Sequence, residues 1–387
     1  MPHDARLVSE AHALKRDLDR FQTLAALDAS PDGAALRARV AAVLATVRRH
    51  EPQAPPAAPR DPSCVRAVHW NIEHGNWYEQ VERALVSHPA LAGADLVLLN
   101  EIDLGMARAG NRDVTADLAL ALGMHGAWVP QFLETTIGRD DDASTAGGRA
   151  NEESLFGLAV LSRWPIERVR VVELPSPDRL IFDTERMLGR FVALVADVAR
   201  PGAPFVAVAA HLEVHRTRAH RAAQIRTVVH ALRDERRPVI LAGDWNTHTF
   251  DRGLWHSPLS GGSSLLTWPG PLLRRRFLHP DRGPFREPLF AELRAAGFEW
   301  KRFVDFAPTL QLRLERLEEV MRLPAWLRSA TAPVRDWAEA RGALRLDWFA
   351  ARGFAGGHAA TVRGLDGRGL ASDHAPIVAE FATPGPE

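Results

Sequence analysis

The chain has 387 residues, 48 basic against 48 acidic side chains, 46% hydrophobic and 25% charged residues; these are ordinary globular values, with room for two or three domains of about 150 residues or one large unit with additions. A formal net charge of zero argues against a protein whose main business is gripping nucleic acid through a broad basic face, because such binding is dominated by phosphate neutralisation, although it leaves a local basic cleft open. Cys64 is the only cysteine, which excludes an intrachain disulfide, a cysteine-built zinc site and an iron–sulfur centre.

The first residues, MPHDARLVSEAHALKRDLDR, are charged from the start and lack the apolar stretch of about 7–15 residues that marks a secretory signal. No run approaches the roughly 18 apolar residues of a membrane span, so a cytoplasmic location is expected. Residues 4–50 predict two amphipathic helices: Leu7, Ala11, Leu14, Leu18, Phe21 and Leu24 form one apolar stripe, and Leu36, Val40, Val43 and Val47 a second. They break at Ser30-Pro31-Asp32-Gly33. The proline-rich segment 51–63, EPQAPPAAPRDPS, reads as an extended linker. The expected organisation is a helical extension at 1–50, a linker at 51–63 and a main domain at 64–387.

Beyond the linker the pattern changes to short β-type runs: Val65–Trp70, Asp95–Leu99, Leu158–Ser162, Arg190–Val198, Phe205–Ala210, Val239–Ala242 and Ile377–Phe381. Helical periods fall at Tyr78–Leu85, Val114–Leu122 and Arg218–Leu232. This alternation predicts a mixed α/β body, with two stacked sheets or one large sheet covered by helices. Gly138–Glu153 reads as a polar loop; its run Asp140-Asp141-Asp142 lacks the oxygen spacing and closing Glu of a calcium loop. A long insertion at about 251–341 carries helical patterns at Pro288–Gly297 and from Leu310 to Leu327.

Four motifs lie where expected strands end or begin, the places where sites are usually assembled. VHWNIE sets Asn71 past a β run. DLVLLNEID delivers Glu101 at the end of an apolar strand. PVILAGDWN gives Asp244 and Asn246 two apart, so that both can face one side, and ASDHAP carries Asp373 and His374 before the last strand. VAAHLE adds His211 after a strand, and LRLDWF sets Asp347 in an apolar context. Singly, each is more often a turn or cap residue than a ligand.

Taken in order, WNIE, LLNE, HLE, GDWN, LDWF and SDH resemble the motifs of the endonuclease/exonuclease/phosphatase superfamily, which includes pancreatic-type deoxyribonucleases, abasic-site endonucleases, neutral sphingomyelinases and inositol-polyphosphate phosphatases. The resemblance runs from about Cys64 to Phe381. It implies a four-layer α/β/β/α sandwich of two packed mixed β-sheets flanked by helices, with the N-terminal helices as an extension. The wide gap between Asn246 and Asp347 departs from the family in length, not in a motif residue.

The chemistry accounts for the residue types. Hydrolysis of a phosphate ester needs a hard cation on the phosphoryl oxygens, an activated water in line with the leaving oxygen, and donors for developing charge. Magnesium takes a few carboxylate or amide oxygens and keeps its waters, so Glu101 is the first expected ligand with Asn71 beside it, and Asp373 reaches the Mg2+ or Mn2+ directly or through water. His374 orients or deprotonates the attacking water if a carboxylate holds its other nitrogen, and the resemblance nominates Asp347 for that role. Asp244 and Asn246 then position the water and bind a phosphate oxygen, with the base left open between Asp244 and His374. His211 looks like the histidine of the deoxyribonuclease and sphingomyelinase branches, which favours a phosphodiester.

Asn111, Arg112, Arg218 and Arg221 are candidate phosphate contacts, because arginine presents forked donors. The expected function is a metal-dependent phosphoesterase acting on a nucleic acid, a phospholipid or a small phosphodiester. Arg274-Arg275-Arg276, with Arg282, Arg286, Trp268, Phe277 and Phe285 nearby, suit nucleic acid, while the Leu312–Arg328 pattern suits either a peripheral membrane contact or a packing helix. No obligate protein partner is expected. The alternative is a catalytically silent scaffold that keeps the fold for binding.

Overall fold

The computed structural model describes residues 4–53, 58–59, 61–138, 141–176, 186–252, 264–314, 320, 323–367 and 369–382. Its strands are β1 (Arg48–His50), β2 (Cys64–His74), β3 (Leu96–Leu104), β4 (His125–Glu134), β5 (Leu155–Ser162), β6 (Ile166–Glu173), β7 (Met187–Gly189) and β8 (Val192–Val198). They continue with β9 (Phe205–Ala210), β10 (Val239–Asp244), β11 (Leu310–Gln311), β12 (Ala343–Leu344), β13 (Asp347–Arg352), β14 (Ala359–Thr361) and β15 (Ile377–Ala382). The larger sheet runs β1-β4-β5-β3-β2-β15-β14, with β7 also on β4; the smaller runs β13-β10-β9-β8-β6.

Side-chain alternation decides how the sheets stack. Val65, Ala67, Leu96 and Leu98 of the larger sheet meet Phe205, Ala207, Ala209, Ile240 and Ala242 of the smaller one in a single buried cluster. The opposite faces of the same strands are apolar too, so each sheet needs a second cover. Val68, Trp70, Val97 and Leu99 pack under the helices Tyr78–Ser87 and Val114–Leu122. Val206, Val208, Val239 and Leu241 pack under the helices Arg218–Ala231 and Leu289–Ala295. Both parallel pairs, β2/β3 and β9/β10, are joined through one of these covering helices, as a parallel connection requires. The result is the expected α/β/β/α sandwich.

The segment expected as two helices is three, Ala5–Leu18, Leu24–Ala29 and Gly33–Leu44, followed by β1. Asp4 caps the first helix by accepting from the backbone N–H groups of Arg6 and Leu7, and Thr23 caps the second. Leu7, Ala11, Leu14 and Leu18 share the outer core of the larger sheet with Leu36, Val40 and Val43, and β1 pairs with β4. The N-terminal segment is thus built into the larger sheet and its cover, each buried Leu contributing about 1.5–3 kcal/mol.

In the insertion the helix expected from Leu310 to Leu327 does not form as such. Leu310–Gln311 is strand, paired with β12, and residues 315–319 and 321–322 lie outside the described set. A helix spans Ala325–Glu339, beginning directly after Pro324 and holding Pro333 within it; the first proline costs no intrahelical hydrogen bond, whereas the second removes one. Leu312 and Leu314 pack against the buried cluster of Leu265, Phe277 and Leu344, so this end of the pattern is a packing element. The expected loop at Gly138–Glu153 contains a short helix, Asp141–Ala146, with residues 139–140 outside the described set. Among the described residues no helix is long and apolar enough to cross a membrane.

Candidate active site

Several strand ends meet at one edge of the sandwich. The parallel strands β2 and β3 finish there, β10 finishes there in the other sheet, and β13 starts there with Asp347 directly opposite Asp244. Gly243 makes this delivery possible, because a Cβ at that position would lie 1.7 Å from the carbonyl oxygen of Ala210. The sheets are pinned together where they present the site: the backbone N–H of Asp244 donates to Oδ1 of Asn100 at 2.7 Å. The β2/β3 register shifts between Asn71 and His74, and the β3/β5 register shifts between Asn100 and Ile102. Glu101, inside the second bulge, has φ of 50°, and Asn246 has φ of 49°. Left-handed backbone at non-glycine residues costs energy and concentrates at functional sites.

The side chains form a connected ring. Asn71 Nδ2 donates to Oε1 of Glu101 at 2.9 Å and to Oδ2 of Asp244 at 3.3 Å. His211 Nε2 stands 3.8 Å from Oε1 of Glu101 and 3.7 Å from Oδ2 of Asp244. His374 Nε2 approaches the same Asp244 oxygen at 3.7 Å, while its Nδ1 donates to Oδ2 of Asp347 at 2.8 Å. The loop carrying His374 is fixed to β2: Ser372 Oγ donates to the Asn71 carbonyl and accepts from the His374 N–H, and the Trp70 indole donates to the His374 carbonyl. Asn246 donates its backbone N–H to Asp244 at 2.9 Å and its side-chain amide to the Leu212 carbonyl at 2.8 Å.

Burial sets the charges. It disfavours ionisation of Asp347, but His374 and His69 overcome it and hold the carboxyl well below the usual range. Burial likewise opposes the His374 cation, and Asp347, Asp244 and the half-buried Asp373 outweigh it, raising its basicity well above the ordinary value. Asp244 is pushed up, by burial first and by the Asp347 charge, with His374 and His211 opposing. The Glu101 carboxyl is also disfavoured by burial, yet His74, His211 and Asn71 bring it down to about 2, so it is a carboxylate at any physiological pH.

Asp244, Asp347 and His374 each place a ligand atom within 4.8 Å of one another. Asp347, however, already accepts from His69 Nε2 at 3.0 Å and from His374, which makes that cluster a hydrogen-bonded unit. The oxygens of Glu101 and Asp244 suit a hard divalent cation better, with the Glu101 side chain 23% exposed; Asn71 lies beside them, its Nδ2 facing both carboxylates and its Oδ1 accepting from the Glu73 N–H at 3.2 Å.

The arginine and amide candidates are not at this ring. Arg112 pairs with Glu79 at 3.0 Å and Asp117 at 3.4 Å and lies over the Tyr78 ring. Asn111 occupies a left-handed turn and donates to the Ala150 carbonyl. Arg221 is fully buried, donating twice to Glu287 at 3.2 and 2.7 Å and also to the Arg216 and Phe250 carbonyls. It lies on the inward face of its helix with Ile225 and Val228, a spacing that points it at the core. Arg218 pairs with Asp251. Arg276 is enclosed by Phe250, Phe285 and Trp268 and donates to Thr249. Replacing Arg221 with Ala leaves Glu287 buried without its counter-charge, holding only the Thr249 N–H, and the expected result is a loss of about 3–5 kcal/mol in urea unfolding with an unchanged KM for a small phosphate ester. A raised KM at full stability would return Arg221 to the substrate.

Three participants had no separate signal in the sequence. His69 contacts Asp347 from an inward position of β2, where a histidine ordinarily reads as core. Asn100, adjacent to Glu101, carries no pattern of its own. His74 lies past the expected end of β2, with Nε2 3.5 Å from Glu101 and Nδ1 3.5 Å from Asp103; burial and the Arg108 cation oppose its protonation, but the two carboxylates raise it to about 9.

Comparison with known proteins gives the family and the fold. A model of the Endonuclease/Exonuclease/phosphatase family matches residues 68–374. A solved endonuclease/exonuclease/phosphatase from Beutenbergia cavernae superposes with a TM-score of 0.51 at 18% identity, over 84% of this chain and 72% of that one. The human Nocturnin catalytic domain with bound sulfate gives 0.43 at 15% identity, over 84% and 97%. A Neisseria 3' phosphatase, NExo, bound to a product DNA hairpin gives 0.44 at 16% identity, over 82% and 99%. At these identities the first likeness speaks for the fold. No curated protein matches the chain.

Proposed function

Because the chain belongs to the Endonuclease/Exonuclease/phosphatase family, we propose that it hydrolyses phosphodiesters by in-line attack of water with the help of Mg2+ or Mn2+. The observation that carries this reading is the ring itself: Glu101, Asn71, Asp244, His211 and His374 joined by contacts of 2.9–3.8 Å, with Asp347 behind His374. Glu101 is the principal cation ligand, with Asn71 beside it and Asp373 on the His374 side. The cation, when bound, withdraws charge from the phosphoryl oxygens.

The remaining steps belong to the chain's own groups. Asp347 fixes the His374 ring through Nδ1 and leaves Nε2 facing Asp244. With its raised basicity His374 is protonated at neutral pH and acts as a donor to a phosphoryl oxygen. That assigns the proton of the attacking water to Asp244, whose Oδ2 faces both histidines. His211, 3.7 Å from the same oxygen, is placed to donate toward the leaving oxygen. Asn246 is a positioning residue that fixes Asp244 through its backbone N–H.

Arg112, Arg221 and Arg276 are all engaged within the protein, which supports recognition at a single phosphate over tracking of a long polyanion. Oligonucleotide binding, if present, is then expected to weaken only slightly with salt, against the steep loss of a protein that makes many phosphate contacts. The function is tested by hydrolysis of bis-p-nitrophenyl phosphate beside p-nitrophenyl phosphate, with and without Mg2+ or Mn2+, in wild type and His374→Ala. Metal-dependent diester cleavage that is lost in the variant is the expected result. Metal binding without turnover of either ester or of longer diesters would favour the silent scaffold.

A further inference from the structure

We propose that His74 is a positioning residue for Glu101, clamping one oxygen of the carboxylate so that the other is presented to the divalent cation. This rests on the reading of Glu101 as the cation ligand. Both strands that carry these residues depart from regular pairing at the same level: the β2/β3 register shifts between Asn71 and His74, and the β3/β5 register shifts between Asn100 and Ile102. Glu73, His74 and Glu101 have φ of 46°, 66° and 50°, three non-glycine residues in the left-handed region within one small volume. Such strain persists where the surroundings over-determine it, and here it turns the His74 ring back onto the Glu101 carboxylate.

The two carboxylate oxygens have different neighbours. Oε1 accepts from Asn71 and faces His211, at 2.9 and 3.8 Å. Oε2 lies 3.5 Å from His74 Nε2. The far side of the His74 ring faces a buried chain of charged groups. Its Nδ1 stands 3.5 Å from Asp103, which accepts two bonds from Arg108 at 2.8 and 3.0 Å, and Arg108 pairs with Glu134 at 2.9 Å. Phe156 meets the His74 ring edge-on at 5.2 Å and also lies under the Arg108 guanidinium. The terminal torsion of a glutamate is broad and weakly set by its own rotamer, so two fixed neighbours on opposite oxygens are what hold the carboxylate plane. Partners of this kind around a metal ligand typically contribute about 10–100-fold to metal affinity.

The test is calorimetric titration of Mg2+, with Mn2+ paramagnetic resonance as a second readout, on wild type, Glu101→Gln, His74→Ala and His74→Gln, all without substrate. Glutamine places an amide N–H near the position of Nε2 and keeps the donor. The expected result is binding abolished in Glu101→Gln, weakened about 10–100-fold in His74→Ala, and restored to within about threefold of wild type in His74→Gln. Equal affinity of His74→Ala and wild type overturns the proposal, as does equal weakening in both His74 variants, which would assign the residue to packing alone. Wild-type binding that survives in Glu101→Gln would instead remove the ligand role of Glu101, and the proposal with it.

Discussion

Asp347→Asn is expected to lower kcat for bis-p-nitrophenyl phosphate by about 10²–10³-fold at pH 8 and to move the alkaline limb of the pH–rate profile downward. The substitution keeps both contacts while removing the charge, with the bond to His69 reversed in direction. The new amide can accept from His374 Nδ1 through its oxygen and donate to His69 Nε2, since His69 uses its other nitrogen on the Leu98 carbonyl at 3.1 Å. The His374 ring therefore stays in place, but the carboxylate that most favours its cation is gone. Its basicity falls toward the unperturbed value of about 6.5, and the donor to the phosphoryl oxygen is lost at a lower pH than in wild type. Asp347→Ala, which also frees the ring, is expected to lose more activity at every pH. An alkaline limb that stays put in Asp347→Asn would mean that the titration of His374 does not govern the rate.

The same pair gives a stability signature. Asp347 has a depressed value in the fold, so its contribution is present above about pH 4 and is lost as pH falls. His374 has a raised one, so its contribution is full below about pH 6.5 and is lost as pH rises through its folded value. Together they act fully only between these limits. Urea unfolding of wild type is expected to show that plateau with shoulders on both sides, and the variant a flatter curve.

The parts legible in the sequence are those whose signal is local. Apolar runs ending in Asn, Glu or Asp mark β2, β3 and β10, His374 marks the approach to β15, and these side chains meet at one edge because the first three strands end there and β15 begins there. β4 was not legible: Pro130 interrupts it, and a proline argues against a strand unless it sits at an irregularity, as it does here, where the β4/β5 register shifts between Pro130 and Phe132. β6 has an exposed and irregular pattern with only Ile166 buried. The arginines misled for a different reason. A buried guanidinium and a phosphate-binding one look alike until the partner is known, and the partner of Arg221 is Glu287, 66 positions away in the insertion. The pairing of His69 with Asp347 spans 278 positions and is a property of the stacked sheets alone.

Glu101→Gln is expected to abolish metal-dependent turnover, lowering kcat/KM on the order of 10³-fold or more, while the protein stays folded. Glutamine has nearly the same shape and keeps an oxygen for the Asn71 amide, so the bulge at the end of β3 needs no rebuilding. What disappears is the charge that a hard cation requires of its ligands. The apo variant is expected to be somewhat less stable than wild type, because the attraction of His74, His211 and Asn71 outweighs desolvation and holds the carboxyl at about 2, although its 23% exposure lets solvent screen part of that. Thermal unfolding separates these effects. A cation present at about 100 times its Kd stabilises the protein that binds it by about 2.7 kcal/mol, so Mg2+ should raise the Tm of wild type above its own value in EDTA and leave that of Glu101→Gln at its own EDTA value. If Mg2+ raises both alike, the cation is held elsewhere, and the cluster of Asp244, Asp347 and His374 becomes the place to look for it.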